Sequence, residues 1–318
     1  MRRFLVTGAA GFIGRRLCSA LGAHGEVVAM VRASATGPWS DTHVCDLDQS
    51  VPPGDIFRGV DAVFHLAGRA HILDERVDNE AAFRRSNVDG TARVCEAALD
   101  AGVRRLVLAS SVAAMGEGGD APIPEGTPPA PKTAYGRTKL EAERIVMERM
   151  PEPVVLRFPL VYGPALKGNL ERMIRAVESG RFPPVPRIEN RRCMLHVEDA
   201  VTALWLAATS DRAPGNVYTV TDGPGYSTRR VYESIRDALG RPAPGWAIPA
   251  GAMRGMARLG DLAGVLTRRR MPLDTAAFEK LFGSARFESD RIRDELGFEP
   301  QRDLEGAMPE IVASLRHQ

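Results

Sequence analysis

Two side chains one helical turn apart, Tyr135 and Lys139 in Tyr135-Gly136-Arg137-Thr138-Lys139, could together run acid/base chemistry. Residues four apart share a helix face, so an ammonium at 139 lies beside the phenol at 135 and favours its ionised form. That brings a group of ordinary pKa ~10 toward use near neutral pH. The same spacing occurs on solvated helices, so it carries weight only in company. Ser110-Ser111 supply hydroxyls that could hold a substrate oxygen, although serines at strand ends also serve as plain capping residues. A third member is the run Val6-Thr7-Gly8-Ala9-Ala10-Gly11-Phe12-Ile13-Gly14. Gly8, Gly11 and Gly14 permit a tight turn and a close backbone approach, and the helix N-terminus that follows offers N–H groups to a pyrophosphate. The spacing is GxxGxxG rather than GxGxxG, and a strand–helix turn without a ligand is the plainer alternative. A dinucleotide site and a tunable proton donor in one chain point to hydride-transfer chemistry.

The end of the second strand bears on the cofactor. An NAD site commonly places an acid about twenty residues on, where it holds the ribose hydroxyls. Here that region reads Ala29-Met30-Val31-Arg32. Arg32 can pair with a 2′-phosphate, or it is an ordinary solvated arginine. NADP(H) is therefore the expected cofactor and NAD(H) the alternative. Asp46 and Leu47 would flank the adenine, and Leu66, Ala67 and Gly68 the bridging phosphate and ribose. His65 and His196 read as buried, hydrogen-bonded residues, since neither has a metal partner at useful spacing, and no metal is expected. Arg192 follows Arg191 ahead of the apolar Cys193–Val197 run. It could grip a diphosphate, with a surface arginine pair as the plainer reading.

These groups need a scaffold, and the pattern of the chain supplies one. Phe4–Thr7, Glu26–Val31, Ala62–Leu66, Arg105–Ala109 and Val154–Arg157 read as strands. Phe12–Gly22, Glu80–Ala101 (ending at Gly102) and Ala134–Met150 (stopped by Pro151) read as the helices between them. Such alternation predicts right-handed βαβ units and an α/β fold with a doubly wound, parallel, Rossmann-type sheet. Beyond Tyr162 proline becomes denser and strands fewer. The expected division is a dinucleotide-binding lobe over 1–162, with a return to the sheet near 216–221. A smaller C-terminal substrate-binding lobe over 163–318 would lie across the mouth of the sheet, where ligands of open α/β sheets bind.

Composition excludes several classes. A chain of 318 residues with a formal net charge of +2 carries nothing that argues for a polyanion surface, so no nucleic acid is expected. No stretch approaches 18 uncharged apolar residues, so no membrane span is expected. Cys18, Cys45, Cys95 and Cys193 are scattered without CxxC spacing and read as buried free thiols. The Met-Arg-Arg start shows no signal-peptide cleavage site, and a cytosolic location is expected. One segment stands out. Met253–Leu266 is apolar with helical period and is followed by Arg268-Arg269-Arg270, which reads as a solvated helix end or, alternatively, as a foot on a membrane surface.

Taken together, Gly8-Ala9-Ala10-Gly11-Phe12-Ile13-Gly14, Asp46-Leu47, His65-Leu66-Ala67-Gly68, Asn87-Val88-Asp89-Gly90-Thr91, Ser110-Ser111 and Tyr135…Lys139 resemble an extended short-chain dehydrogenase/reductase. The resemblance continues through Arg157-Phe158-Pro159-Leu160-Val161-Tyr162-Gly163-Pro164, Arg192 to Asp199, and Leu296-Gly297-Phe298-Glu299-Pro300, so it spans nearly the whole chain. It implies Ser111, Tyr135 and Lys139 as the catalytic set, with Tyr135, Lys139 and Pro159 beside the cofactor. Ser111, Asn169 and Arg192 would meet a nucleotide sugar. It also implies a homodimer through a four-helix bundle built by helices near Asn87–Ala101 and Ala134–Met150. Val161-Tyr162-Gly163-Pro164 followed by Lys167-Gly168-Asn169 is similar to UDP-N-acetylhexosamine 4-epimerases and 4-keto-6-deoxy-sugar reductases of surface-polysaccharide pathways. Two departures weaken the epimerase reading: Leu160 stands where many epimerases have Asn, and Met115 where Tyr is frequent. With Arg32 they favour an NADPH-dependent reductase of a UDP-4-keto-6-deoxy-2-acetamido sugar. A UDP-hexose 4-epimerase holding NAD is the alternative. Dihydroflavonol- or steroid-type reductases and a catalytically silent dinucleotide sensor are further ones.

Overall fold

Buried parallel strands must be apolar on both faces, and the runs Phe4–Val6, Val27–Val31 and Val154–Leu156 are almost wholly excluded from solvent. They belong to a sheet seen in a computed structural model that describes residues 1–70, 80–223, 225–242, 244–267 and 274–316, the side chains of 265 and 266 excepted. Its strands are β1 (Arg2–Thr7), β2 (Gly25–Val31), β3 (Asp41–Val44), β4 (Ala62–His65), β5 (Arg105–Ser111) and β6 (Glu152–Phe158). After a separate two-stranded pair, β7 (Leu160–Tyr162) with β8 (Met194–His196), the chain returns as β9 (Asn216–Thr219). The order is β3-β2-β1-β4-β5-β6-β9, with every neighbouring pair parallel. This is the expected doubly wound Rossmann-type sheet, and β9 is the expected return near 216–221.

The helices are α1 (Phe12–Leu21), α2 (Glu80–Arg84), α3 (Gly90–Asp100), α4 (Ala134–Arg149), α5 (Asn169–Glu178), α6 (Val197–Thr209), α7 (Thr228–Ala238), α8 (Ala250–Thr267), α9 (Thr275–Phe282), α10 (Asp290–Leu296) and α11 (Leu304–Arg316). On one face of the sheet Phe4, Val6 and Val27 pack with Leu17 and Leu21 of α1, Leu204 of α6 and Ile292 of α10. On the other, Leu5, Val28 and Val63 pack with Val94 and Ala98 of α3 and Ala142 and Val146 of α4. A third core joins Ile174, Ile235, Met253, Phe278 and Ile311 from α5, α7, α8, α9 and α11, and Phe12 of α1 packs against it.

Three differences from the sequence expectation have local causes. The helix expected over Glu80–Ala101 is interrupted by a π turn at Arg85–Asp89, where Ser86, Asn87 and Val88 are buried. Strand β3 has no apolar run to announce it, being half exposed along its length. β7 and β8 have three residues each, too short for a period to register. Helix α4 starts as expected, with the Thr133 hydroxyl accepting from Gly136 N at 3.0 Å. Arg268-Arg269-Arg270 lies outside the described residues.

Candidate active site

Parallel strands send all their carboxyl ends to one edge of the sheet, the edge where open α/β folds bind ligands. Thr7, Val31, His65, Ser111 and Phe158 close β1, β2, β4, β5 and β6 there, and Gly8, Arg32, Leu66 and Pro159 follow them.

At the end of β1 the glycines are sterically required. Gly8 has φ +69°, and a Cβ on it would stand 2.8 Å from Ala67 N. A Cβ on Gly14 would penetrate the Gly8 carbonyl oxygen. Gly11 opens α1 with no side-chain cap, so the first-turn N–H groups around Phe12 and Ile13 face the mouth of the sheet without a local side-chain acceptor. A cradle that any side chain would fill, beside an uncapped helix N-terminus, fits a dinucleotide pyrophosphate.

The neighbouring loop after β4 is held by a chain of polar contacts. The Thr7 hydroxyl accepts from Ala67 N at 3.1 Å and donates to His65 Nδ1 at 2.7 Å. His65 Nε2 bonds the Thr91 hydroxyl at 2.9 Å, and that hydroxyl donates to Asn87 O at 2.6 Å. Because each hydroxyl has one proton, this order places the imidazole proton on Nε2. Burial, followed by the charge of Lys139, pushes the His65 pKa down to about 3. Asn87 accepts from Arg69 N at 2.8 Å and donates to Arg69 O and to Thr138 Oγ1, both at 3.2 Å. It thereby clamps the Leu66–Arg69 loop to α4. Sequence alone gives Asn87 and Thr91 no individual role, although their spacing of four on a helical segment is a usable signal. Asp46 accepts from Asp48 N at 3.1 Å and from Gln49 at 3.3 Å, and Leu47 is buried.

Tyr135, Lys139 and Glu143 recur every four residues along α4 and form one stripe facing the sheet. Ser111, at the end of β5, accepts from Ala113 N at 3.2 Å through its hydroxyl and lies close enough to the half-buried Tyr135 phenol to lower its pKa by hydrogen bonding. Lys139 Nζ donates to Ala109 O at 2.7 Å. Glu143 accepts from Ser110 and pairs with the Arg157 guanidinium at 2.6 Å, both carboxylate and guanidinium buried. One expectation needs correction. Tyr135 is not held low by Lys139: burial raises its pKa, and the opposing influence is the Ser111 hydrogen bond. The ammonium is directed at the β5 backbone instead, and burial lowers its own pKa to about 8 against the opposing effect of Glu143.

Other expected site residues stand on separate elements. Arg32 is exposed just past β2, and Asn169 is exposed as the first residue of α5. Pro159 is half-buried beyond β6. Arg192 exchanges backbone hydrogen bonds with Tyr226 (3.0 and 2.9 Å) and donates from its guanidinium to Gly283 O at 3.0 Å. Burial lowers its pKa. His196 caps α6 through Nδ1, accepting from Glu198 N at 3.2 Å, and burial holds its pKa at about 4. The four cysteines are buried and free, as expected.

Three kinds of likeness bear on this site. The profile of the NAD dependent epimerase/dehydratase family matches residues 4–221. A UDP-glucose 4-epimerase from Vibrio cholerae is 28% identical over 259 residues, 78% of each chain. A 4-hydroxy-2-methyl-3-oxo-4-farnesyl-3,4-dihydroquinoline-1-oxide ketoreductase from Stigmatella aurantiaca is 30% identical over 315 residues, 94% of this chain and 92% of its own. The solved structure of MoeE5 in complex with UDP-glucose and NAD superimposes with a TM-score of 0.77 over 99% of each chain at 29% identity. On these likenesses the chain belongs to the NAD dependent epimerase/dehydratase family and is a nicotinamide-dinucleotide enzyme of oxidoreductase or epimerase type.

Proposed function

We propose that the protein is a cytoplasmic, NADPH-dependent reductase acting on the C4 ketone of a UDP-linked 4-keto-6-deoxy-2-acetamido sugar in surface-polysaccharide synthesis. The observation that carries this reading is the carboxyl end of β2, where exposed Arg32 stands in place of an acid. A guanidinium there can pair with a 2′-phosphate. A reductase must exchange spent cofactor at every turnover, whereas an epimerase retains and recycles it, so a preference for the phosphorylated dinucleotide suits reduction. The similarity to MoeE5, whose complex holds UDP-glucose, supports a nucleotide sugar, and the similarity to a ketoreductase supports ketone reduction.

Bound nicotinamide supplies the hydride in this scheme, and the chain's own residues handle the oxygen and its proton. Burial keeps the Tyr135 phenol protonated at neutral pH, which is the state needed to donate a proton to the forming alkoxide. Ser111 orients the same oxygen. Lys139, held by its bond to Ala109 O, would hold the nicotinamide ribose. Gly8, Gly11, Phe12, Ile13 and Gly14 hold the pyrophosphate, Asp46 and Leu47 the adenine side, and Leu66, Ala67, Gly68 and Pro159 the ribose and nicotinamide side. Arg192 would meet the diphosphate and Asn169 the nucleotide or sugar. Helices α3 and α4 pack side by side on one face of the sheet and are the elements through which a homodimer would form a four-helix bundle.

A second reading is a UDP-hexose 4-epimerase that keeps NAD, favoured by the likeness to the Vibrio cholerae enzyme. One experiment separates the two. Incubation with UDP-4-keto-6-deoxy-N-acetylglucosamine and NADPH should consume the reduced nicotinamide stoichiometrically, followed by its absorbance. Constant NADPH together with conversion of UDP-N-acetylglucosamine to its C4 epimer would replace the reductase with the epimerase.

A further inference from the structure

Helix α8 is amphipathic in an unusual sense. Helices α5 and α7 bury their large apolar side chains, Leu170, Ile174 and Val177 in one and Val231, Tyr232 and Ile235 in the other. On α8 the buried large side chain is Met253, with Ala257 beside it, and both join the third core. Met256, Leu259 and Leu262 instead face solvent, 42%, 66% and 58% exposed, and Trp246 just before the helix is 63% exposed. Four of the nine exposed large apolar side chains among the described residues therefore fall between 246 and 262, a concentration along the chain that scattered surface residues do not show.

At ~100° per residue, Met256, Leu259 and Leu262 span an arc of roughly 120° that also holds Ala252, Gly255 and Ala263 and no charged residue. Arg258 lies at its margin and Arg254 beyond, the latter over the Phe278 ring at 5.6 Å. The one acid of the helix, Asp261, is turned to α9, where it accepts from Thr275 N at 3.0 Å. From Trp246 to Arg270 the sequence carries five arginines, at 254, 258, 268, 269 and 270, against that single aspartate, a balance of +4 in a chain whose total is +2. No helix among the described residues is long and apolar enough to cross a membrane.

We propose that α8 lies flat in the headgroup layer of an anionic membrane, with Trp246, Met256, Leu259 and Leu262 inserted and Arg258, at the margin of the arc, pairing with lipid phosphate. An apolar arc bordered by guanidinium groups is the chemistry of an interfacial helix, which buries its apolar face about 5–10 Å deep and gains from anionic lipid. Charge selects the occupant: the sequence from 246 to 270 carries +4, so a second copy of this chain would set like charge against like, whereas anionic lipid is attracted. The proposal does not depend on which ketone or sugar the enzyme handles.

The test uses the full chain and vesicles of phosphatidylcholine with or without phosphatidylglycerol, in a flotation assay. The protein should float with the anionic vesicles, less at high salt, and a blue shift of tryptophan emission should appear that is absent in Trp246→Phe. The Leu259→Ser/Leu262→Ser pair should weaken binding by at least about tenfold while dinucleotide binding stays at the parent level, which shows the variant is folded. Failure of the parent to bind anionic vesicles overturns the proposal, as does undiminished binding by the double variant. A parent dimer that the same two substitutions convert to monomer would assign the stripe to a second copy instead.

Discussion

At the phenol of Tyr135, burial favours the protonated form and the Ser111 hydrogen bond opposes it. A group poised this way is a proton donor first, so its removal should strike the chemical step and leave cofactor binding alone. Tyr135→Phe is expected to lower turnover by about 10²–10⁴-fold, with dinucleotide affinity in a fluorescence titration nearly unchanged. Turnover at the parent rate would remove Tyr135 from the mechanism. Arg32 makes the complementary prediction about binding. NADPH should bind more tightly than NADH, and Arg32→Ala should erase most of that gap while leaving NADH affinity near the parent value. Equal affinities in the parent would overturn the assignment of Arg32. Both candidates come from sequence position alone: a spacing of four on a helix, and the end of a strand. The sign of the Tyr135 shift was not identifiable, since desolvation depends on what covers the ring, including Phe83 of α2 at 5.8 Å between ring centroids.

At the scale of elements, α4 is fastened to β5 and β6 by the buried Glu143, which meets Ser110 on one strand and Arg157 on the other. Removing one partner of a buried ion pair strands the other charge and typically costs about 3–5 kcal/mol. Glu143→Gln should therefore lower the urea midpoint markedly, and Glu143→Met/Arg157→Met should recover part of the loss. An unchanged midpoint in Glu143→Gln would show the pair unimportant to the fold, and a double variant no better than the single one would show that a stranded charge is not the source of the loss. The β1–α1 turn makes a steric prediction. Even a methyl group on Gly14 has no room beside the Gly8 carbonyl, so Gly14→Ala should displace the turn and reduce dinucleotide affinity by at least about tenfold. Parent-like affinity in an equilibrium titration would count against that turn as the pyrophosphate cradle. The glycines were visible in sequence as a spacing. The Glu143–Arg157 pair was not, because its members lie 14 residues apart and nothing local signals that a strand and a helix will bury them together.

For the whole molecule, the buried imidazoles couple stability to pH. His65 takes no proton in the native state until about pH 3, whereas an unfolded imidazole does so near 6.5. Between those values the unfolded chain binds more protons, so stability falls as pH drops from about 6.5, at up to ~1.4 kcal/mol per pH unit from this residue. His196, held at about 4, acts in the same direction over a narrower window. Urea midpoints measured at pH 7 and pH 5 should show the decline. His65→Gln, which can still donate to Thr91, should flatten it, and an unchanged slope in that variant would remove His65 as its source.

The sequence by itself determined the strands β1, β2, β4, β5, β6 and β9 with the helices α1 and α4, the glycine turn, the Tyr135–Lys139 spacing and the carboxyl edge where they meet. These follow from periodicity and from contacts within a few residues, which a linear pattern records. Only the tertiary structure decided that Lys139 is aimed at Ala109 and not at the phenol, that His65, Thr7, Thr91 and Asn87 form one polar chain behind the site, and that α8 leaves its leucines exposed. Each of these depends on which distant segment covers a side chain. Burial is a property of the packed whole, and spacing along the chain does not encode it.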